Sequence, residues 1–352
     1  MNSLLSCAKH KDSPILFIGS NRIESLERMY LRAFAKIGYT RVDLFDIQNW
    51  KPRILKNRYI NRLSYGTHDY FAGHSLMNFL KTRKGHYKVI IVFKGMELTR
   101  RVIERCREIT GKAIWVNLNP DDPFNIASRG SSNNDVLESL PCYDVYCIWS
   151  KGIAERLRRL GCRHVFYLPF GFDEESHVPP GKSGLAANRT VSFVGTWDKE
   201  REEVLTAISS FNLCIYGENW GRVSRKSPLD GKIIKGTVFG PELARIINGS
   251  TVSINLLRPQ NKGSHNMRTF EIPAMGGLML TTRSEEQNEF FPEGTASYMF
   301  GDVNELKEKI TEIFENEAAA GSVRARGRSF VMEHSYTRRA ECLMSEIASL
   351  GR

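Results

Sequence analysis

The chain has 352 residues, 41% hydrophobic and 25% charged, an ordinary globular composition long enough for two domains of about 150–180 residues each. No run of 18 or more apolar residues exists to span a bilayer, and the apolar stretch at the N-terminus is too short for a secretory signal, so the expected compartment is the cytoplasm. A formal charge of +11 favours anionic partners, while seven scattered cysteines (Cys7, Cys106, Cys142, Cys147, Cys162, Cys214, Cys342), odd in number and without a CxxC pair, argue against a zinc site or a disulfide framework.

Residues 14–20 are a short apolar run ending in Gly-Ser, which reads as a buried parallel strand and a tight turn. Residues 24–37 read as a helix with Leu26, Met29, Tyr30, Ala33 and Ile37 near one face, and Gly38 as its C-cap. A second strand at 42–46 completes a βαβ opening. The alternation continues with a strand at 87–93, a helix at 99–110, and strands at 113–117 and 143–149. A helix at 151–160 and a strand at 164–168 close the first half. Strands alternating with helices imply a parallel sheet covered on both faces.

Residues 179–189, rich in Pro and Gly, read as a linker between an N-terminal domain at 1–178 and a C-terminal domain at 190–330. In the second half strands are expected at 190–195, 213–217, 252–256 and 278–281, and helices at 199–209, 240–249, 268–275, 304–316 and 321–350. Residues 331–352 are assigned to a C-terminal helix packing back toward the first domain. The fold class is α/β, with two doubly wound Rossmann-like halves facing each other across a cleft and ligands outside the carboxyl ends of the strands.

The second half carries a resemblance. The run 192–201 (SFVGTWDKER) with Leu205, then 215–220 (IYGENW), 254–258 (INLLR) with Asn261, and 265–277 (HNMRTFEIPAMGG) resembles the bacterial CgeB-like glycosyltransferases, GT-B proteins related to the large family-4-like group. The likeness covers most of 190–320 and is most specific at 268–277; in the first half it rests on 119–124 (NPDDPF) and on Tyr143-Asp144-Val145. It implies the GT-B fold, a nucleotide-sugar donor (UDP-, GDP- or dTDP-linked) and a donor site in the second half. The acceptor is then a glycan, a lipid-linked molecule or a protein, in bacterial surface polysaccharide or glycoconjugate synthesis.

A nucleotide sugar needs donors to its diphosphate, an acceptor for its ribose diol and room for its base. Arg258 and Arg268 suit the diphosphate through charge-assisted, bidentate bonds. Glu271 lies one turn after Arg268 on the same face, and the resemblance gives that glutamate the ribose hydroxyls; spacing alone fits an exposed i,i+3 ion pair equally well. Asn266 and Thr269 fall where the helix N-terminus offers free N–H groups to phosphate. Gly195-Thr196 ends a strand and lets the backbone approach a ligand, with Arg201 in reach of the diphosphate. Tyr216, Gly217 and Trp220 suit either a base pocket or the core. The larger family carries a second glutamate eight positions before Glu271, where this chain has Gly263. Asn261, His265 or Asn266 is expected to make the sugar contacts instead.

An inverting reaction needs a general base, and the first half offers His68, Asp122 and Glu24. Asp122 before Pro123 also suits a turn. Asp121-Asp122 lies in the wrong half for a donor-bound metal and arginines supply the counter-charge, so neither metal nor other cofactor is expected. Basic stretches at 51–62 and 151–160 read as solvated surface or as a peripheral contact with an anionic membrane at the inner face of the cytoplasmic membrane. No nucleic-acid-binding module accompanies the charge. No GxGxxG follows either opening strand, which disfavours a dehydrogenase. A catalytically silent nucleotide-sugar-binding protein remains the rival.

Overall fold

Two six-stranded parallel sheets organise the chain, seen in a computed structural model that describes residues 11–50, 65–128, 130–181 and 189–350. The chain divides into one unit of Met1–Pro169 with Thr337–Arg352 and a second of Phe170–Tyr336.

The first unit holds β1 (Ile15–Gly19), β2 (Val42–Asp46), β3 (Val89–Phe93), β4 (Ile114–Asn119), β5 (Val145–Ile148) and β6 (Val165–Tyr167) in the spatial order β2-β1-β3-β4-β5-β6. Every residue of β1 (ILFIG), β3 (VIIVF) and β5 (VYCI) is buried, as a parallel sheet covered on both faces requires. Helices α1 (Leu26–Lys36), α2 (Tyr65–Lys81), α3 (Arg100–Thr110), α4 (Asn134–Glu138) and α5 (Lys151–Arg159) accompany the strands. Ser25, Thr99, Asn133 and Ser150 cap α1, α3, α4 and α5, each side chain accepting an N–H three residues on. Such a cap stabilises a helix by about 1 kcal/mol. Phe17 is the aromatic hub, its centroid 5.0 Å from Phe34 and 5.2 Å from Phe93.

The second unit holds β7 (Thr190–Val194), β8 (Asn212–Gly217), β9 (Ile233–Lys235), β10 (Val252–Asn255), β11 (Met279–Thr282) and β12 (Tyr298–Phe300), ordered β12-β11-β10-β7-β8-β9. Its helices are α6 (Lys199–Ala207), α7 (Gly240–Gly249), α8 (Arg268–Ala274), α9 (Glu285–Phe290), α10 (Val303–Glu315) and α11 (Glu317–Val331). From β7 the chain winds outward through β8 and β9, then returns to place β10 on the other side of β7. The order therefore reverses between β7 and β10, the position at which open α/β sheets bind ligands. In the first unit the same reversal falls between β1 and β3.

The helix expected over 321–350 is two helices, α11 and α12 (Tyr336–Leu350). Between them Phe172 N–H donates to His334 O at 3.1 Å and Tyr336 N–H to Phe172 O at 2.9 Å. These bonds take the backbone groups that a continuous helical ladder would use. From Thr337 onward α12 belongs with the first unit.

Candidate functional site

Arg201 sits astride the β7/β10 reversal. Its Nη1 donates to Thr196 O, just beyond β7, at 2.9 Å, and its Nη2 to Leu256 O, just beyond β10, at 3.1 Å. Asp198, the N-cap of α6, accepts the Arg201 N–H on Oδ1 at 2.9 Å. Asp198 Oδ2 stands 3.5 Å from Arg201 Nε and 3.4 Å from Arg258 Nε, ion-pair distances without hydrogen-bond geometry. Burial pushes the Arg201 guanidinium down to about 10, Arg258 and Arg268 add to that, and Asp198 and the exposed Glu200 oppose it. It stays charged at neutral pH.

Arg268 opens α8 and ties it to β7 through a 3.4 Å bond from Nε to Val194 O. Its Nη1 pairs with Glu271 Oε2. This is not the exposed surface pair that i,i+3 spacing alone describes, because the Glu271 side chain is 4% exposed. Burial opposes ionisation of Glu271, but Arg268 and His177 outweigh it and hold the carboxyl below its ordinary value. Arg258 and Arg268 keep 39% and 28% of their side-chain surface in solvent, whereas Arg201 keeps 13%. Three guanidinium groups thus share two close carboxylates, and the two more accessible arginines present a positive surplus suited to an anion.

Two glycines bring the backbone together beside this cluster. Gly195 N–H donates to Tyr216 O at 2.9 Å, and a Cβ on Gly217, whose φ is +135°, would lie 2.2 Å from Gly195 O. Only glycine fits there. Tyr216 is half-buried at the end of β8, and burial raises its phenol. Trp220 is 2% exposed, donates Nε1 to Gly195 O at 2.8 Å and meets the Phe193 ring edge-on at 6.0 Å. Of the two roles open to it, the core is the one it fills.

Beneath the arginines lies a buried polar network. Gln287 Oε1 accepts from Thr269 Oγ1 at 2.7 Å, Thr281 Oγ1 at 2.9 Å and Asn255 Nδ2 at 3.2 Å. Asn266 donates to Asn255 Oδ1 at 2.9 Å and accepts the Thr269 N–H at 3.1 Å, which fixes the start of α8. His265 and Thr269 are 0% exposed. His265 Nε2 accepts the Phe170 N–H at 3.2 Å, its Nδ1 faces Glu286 Oε2 at 3.0 Å, and Phe170, Phe270 and Phe290 pack edge-on around the ring. Both ring nitrogens are engaged, so His265 holds the turn that carries Asn266 rather than offering a free ring. Asn261 Nδ2 donates to His265 O at 2.8 Å and braces the same turn.

The structure therefore gathers Gly195, Thr196, Arg201, Tyr216, Gly217, Arg258, Arg268 and Glu271 around the ends of β7, β8 and β10. Asn266 and Asn261 lie in the supporting turn, and His265 and Thr269 lie beneath it. Asp198, Asn255, His177, Glu286 and Gln287 escaped sequence reasoning. Of these, only Asp198 left a local signal, as an N-cap three residues before Arg201.

The candidate bases of the first unit are dispersed. Glu24 is exposed in the turn before α1; the buried carboxylate of that connection is Glu27, which accepts the Ser20 N–H at 2.6 Å. Asp122 Oδ1 accepts the Phe124 N–H at 2.9 Å, the expected Asx turn. Lys94 pairs with Asp121. His68 falls in α2, but its side chain lies outside the described residues. Of the two basic stretches, 51–62 also lies outside them. In α5, Arg156 stacks over Phe124 at 3.8 Å, Arg158 donates to Val165 O at 3.3 Å, and Arg159 donates to Glu155 at 3.1 Å. Among the described residues no group of three or more His, Cys, Asp or Glu could hold a metal ion, and no helix is long and apolar enough to cross a membrane.

Residues 189–345 match the sequence model of the family described as Glycosyl transferase-like. No curated protein sequence matches the chain. Among solved structures, sucrose-phosphate synthase from Thermosynechococcus elongatus is similar with a TM-score of 0.71 at 15% identity, over 96% of this chain and 99% of that one. Anabaena HepE, solved with UDP-glucose, gives 0.67 at 12% identity over 96% and 99%. The pneumococcal O-GlcNAc transferase GtfA, solved with UDP and GlcNAc, gives 0.56 at 13% identity over 78% and 60%. The fold class, α/β with two six-stranded parallel sheets, is that of the GT-B glycosyltransferases.

Proposed function

We propose that the chain is a glycosyltransferase that takes a sugar from a nucleoside-diphosphate donor, with the donor held by the second unit. The observation that carries this reading is the arginine surplus at the β7/β10 reversal, built around a buried Arg268–Glu271 pair. Arg258 and Arg268 take the diphosphate, Arg201 holds the strand ends that position them, and Glu271 takes the ribose hydroxyls. The match of 189–345 to a glycosyltransferase-like family model supports the reaction class, and HepE solved with UDP and with UDP-glucose supports a uridine nucleotide.

Catalysis on this reading is chiefly electrostatic. The acceptor hydroxyl attacks the anomeric carbon, the bond to the diphosphate oxygen breaks, the hydroxyl proton passes to the departing diphosphate oxygen, and the arginines stabilise the charge developing on that leaving group. Because guanidinium groups supply that counter-charge, we expect turnover to survive chelation of divalent ions. The acceptor is a hydroxyl-bearing glycan, lipid-linked molecule or protein, and the pathway is expected to be synthesis of a surface polysaccharide or glycoconjugate.

A thermal-shift series with UDP, GDP, dTDP and their sugar conjugates tests the donor. Ligand at 100 times its Kd stabilises by about 2.7 kcal/mol. Arg268→Ala is expected to lower turnover about a hundredfold, or about 2.7 kcal/mol in the transition state. A loss under about twofold, equivalent to about 0.4 kcal/mol, would overturn the assignment. Gly263, standing where the larger family carries a glutamate, favours a second reading, a nucleotide-sugar-binding protein without turnover. Nucleotide binding with no product from a broad acceptor panel would select it.

A further inference from the structure

Glu271 has a second buried neighbour. His177, 4% exposed, lies in the segment that precedes β7, with Nε2 3.7 Å from Glu271 Oε1. Its Nδ1 accepts the Asp173 N–H at 3.0 Å, so Nδ1 bears the lone pair and the ring proton of the neutral imidazole sits on Nε2, facing the carboxylate. A doubly protonated ring would set an Nδ1–H against the Asp173 N–H. The ring therefore directs an Nε2–H toward Glu271.

The aim of the ring is locked by its own turn. His177 N–H donates to Asp173 O at 2.9 Å, and the buried Asp173 carboxylate accepts the Ser176 N–H at 2.9 Å and the Ser176 hydroxyl at 2.5 Å. The two oxygens of Glu271 consequently have different partners: Oε1 faces His177, and Oε2 accepts from Arg268.

We propose that His177 is a positioning residue for ribose recognition. It holds Glu271 ionised and oriented through Oε1 while Oε2 passes from Arg268 to the ribose hydroxyls. The proposal rests on the donor reading given above. In the free protein Arg268 supplies the nearest full positive charge to a buried carboxylate. A bound diphosphate draws that guanidinium toward itself. A buried carboxylate stripped of its partner would take up a proton or turn away. The His177 Nε2–H prevents this, because the ring is buried and fixed by its own turn and so stays beside the carboxylate when the phosphates draw Arg268 away. The 3.7 Å separation tightens when Arg268 moves.

Calorimetric titration of the full chain with UDP, 2′-deoxy-UDP and inorganic pyrophosphate tests this. The wild type is expected to prefer UDP over 2′-deoxy-UDP by about tenfold, the effect of one charge-assisted hydrogen bond. His177→Ala should bring that preference near parity and weaken UDP more than pyrophosphate, which has no ribose for Glu271 to hold. His177→Gln, with an amide N–H near the Nε2 position, should restore part of the preference. Full preference in His177→Ala, or equal weakening of all three ligands, overturns the positioning role. A wild type that binds neither UDP nor pyrophosphate overturns the donor reading and this inference with it. A wild type that discriminates while His177→Ala discriminates equally well leaves the donor reading standing and removes only His177.

Discussion

Each unit has one point where its strand order reverses, and the two are furnished differently. At the β1/β3 reversal of the first unit, Ser20 N–H is taken by Glu27, and Lys94 is taken by Asp121 and the Gly130 carbonyl. These groups satisfy one another. At the β7/β10 reversal, three arginines share two close carboxylates, and a buried network of Asn255, Thr269, Thr281 and Gln287 holds the floor beneath them. The same alternation of strand and helix therefore yields paired charges at one reversal and a charge surplus on a rigid base at the other. A surplus needs an external anion to complete it, and a rigid base keeps the arginines from relaxing onto other partners.

The largest effect expected from breaking this contrast is at Gln287. Gln287→Ala leaves the donors of Asn255, Thr269 and Thr281 without their shared acceptor and Thr282 O without its donor. The expected loss is about 3 kcal/mol of unfolding free energy by chemical denaturation, with weakened nucleotide binding because the start of α8 loses its anchor. Unchanged stability and unchanged nucleotide affinity would show that the floor is ornamental and the comparison empty.

Glu271→Gln should show a smaller, pH-dependent effect. The folded-state pKa of Glu271 is lowered from 4.5, by Arg268 and His177 acting against burial. The charged form therefore contributes stability that is present above the unfolded pKa and lost as pH falls through the folded value. Melting curves between about pH 3 and about pH 6 should show the wild type gaining on the glutamine variant as pH rises through the lower part of that range, then running parallel to it. Parallel curves throughout would mean that Arg268 does not hold the carboxylate in solution.

How much of this was legible in the sequence follows from distance along the chain. Arg268 and Glu271 are three residues apart, so a helix alone brings them together and a motif displays them. Asp198 is readable as an N-cap, but its pairing with Arg258 crosses 60 positions and leaves no local trace. Gln287 and His177 are invisible for the same reason. The absence of a glutamate at Gly263 puts His265 among the expected sugar contacts; it is buried because Phe170, Phe270 and Phe290, from separate segments, close around it. Residues 65–81 contain Gly66 and Gly73 and give no clear period, yet form α2 because Ala72, Leu76 and Leu80 bury one face. The three-residue strands β9 and β12 are absent from the sequence reading, although the equally short β6 is present in it. Long apolar strands and capped helices were readable because their causes are local.

The smallest effect sharpens the comparison most, because it predicts opposite signs for two buried carboxylates. Glu27 has its pKa raised from 4.5 by burial, with the Ser20 N–H opposing, and Glu97 adding to the rise. A raised folded value means that this group's contribution is fully present below the unfolded pKa and is lost as pH rises through the folded one, the reverse of Glu271. Glu27→Gln keeps an oxygen for the Ser20 N–H, so it should change stability by no more than about 1 kcal/mol and remove that pH-dependent loss. The exposed Glu24 is the control, and Glu24→Gln should stay within about 0.5 kcal/mol of the wild type. If Glu27→Gln and Glu271→Gln shifted the acid limb of the stability curve in the same direction, burial would dominate both sites. The arginines of the second unit would then be too well screened by solvent to hold a buried carboxylate ionised, and the contrast between the two reversals would disappear.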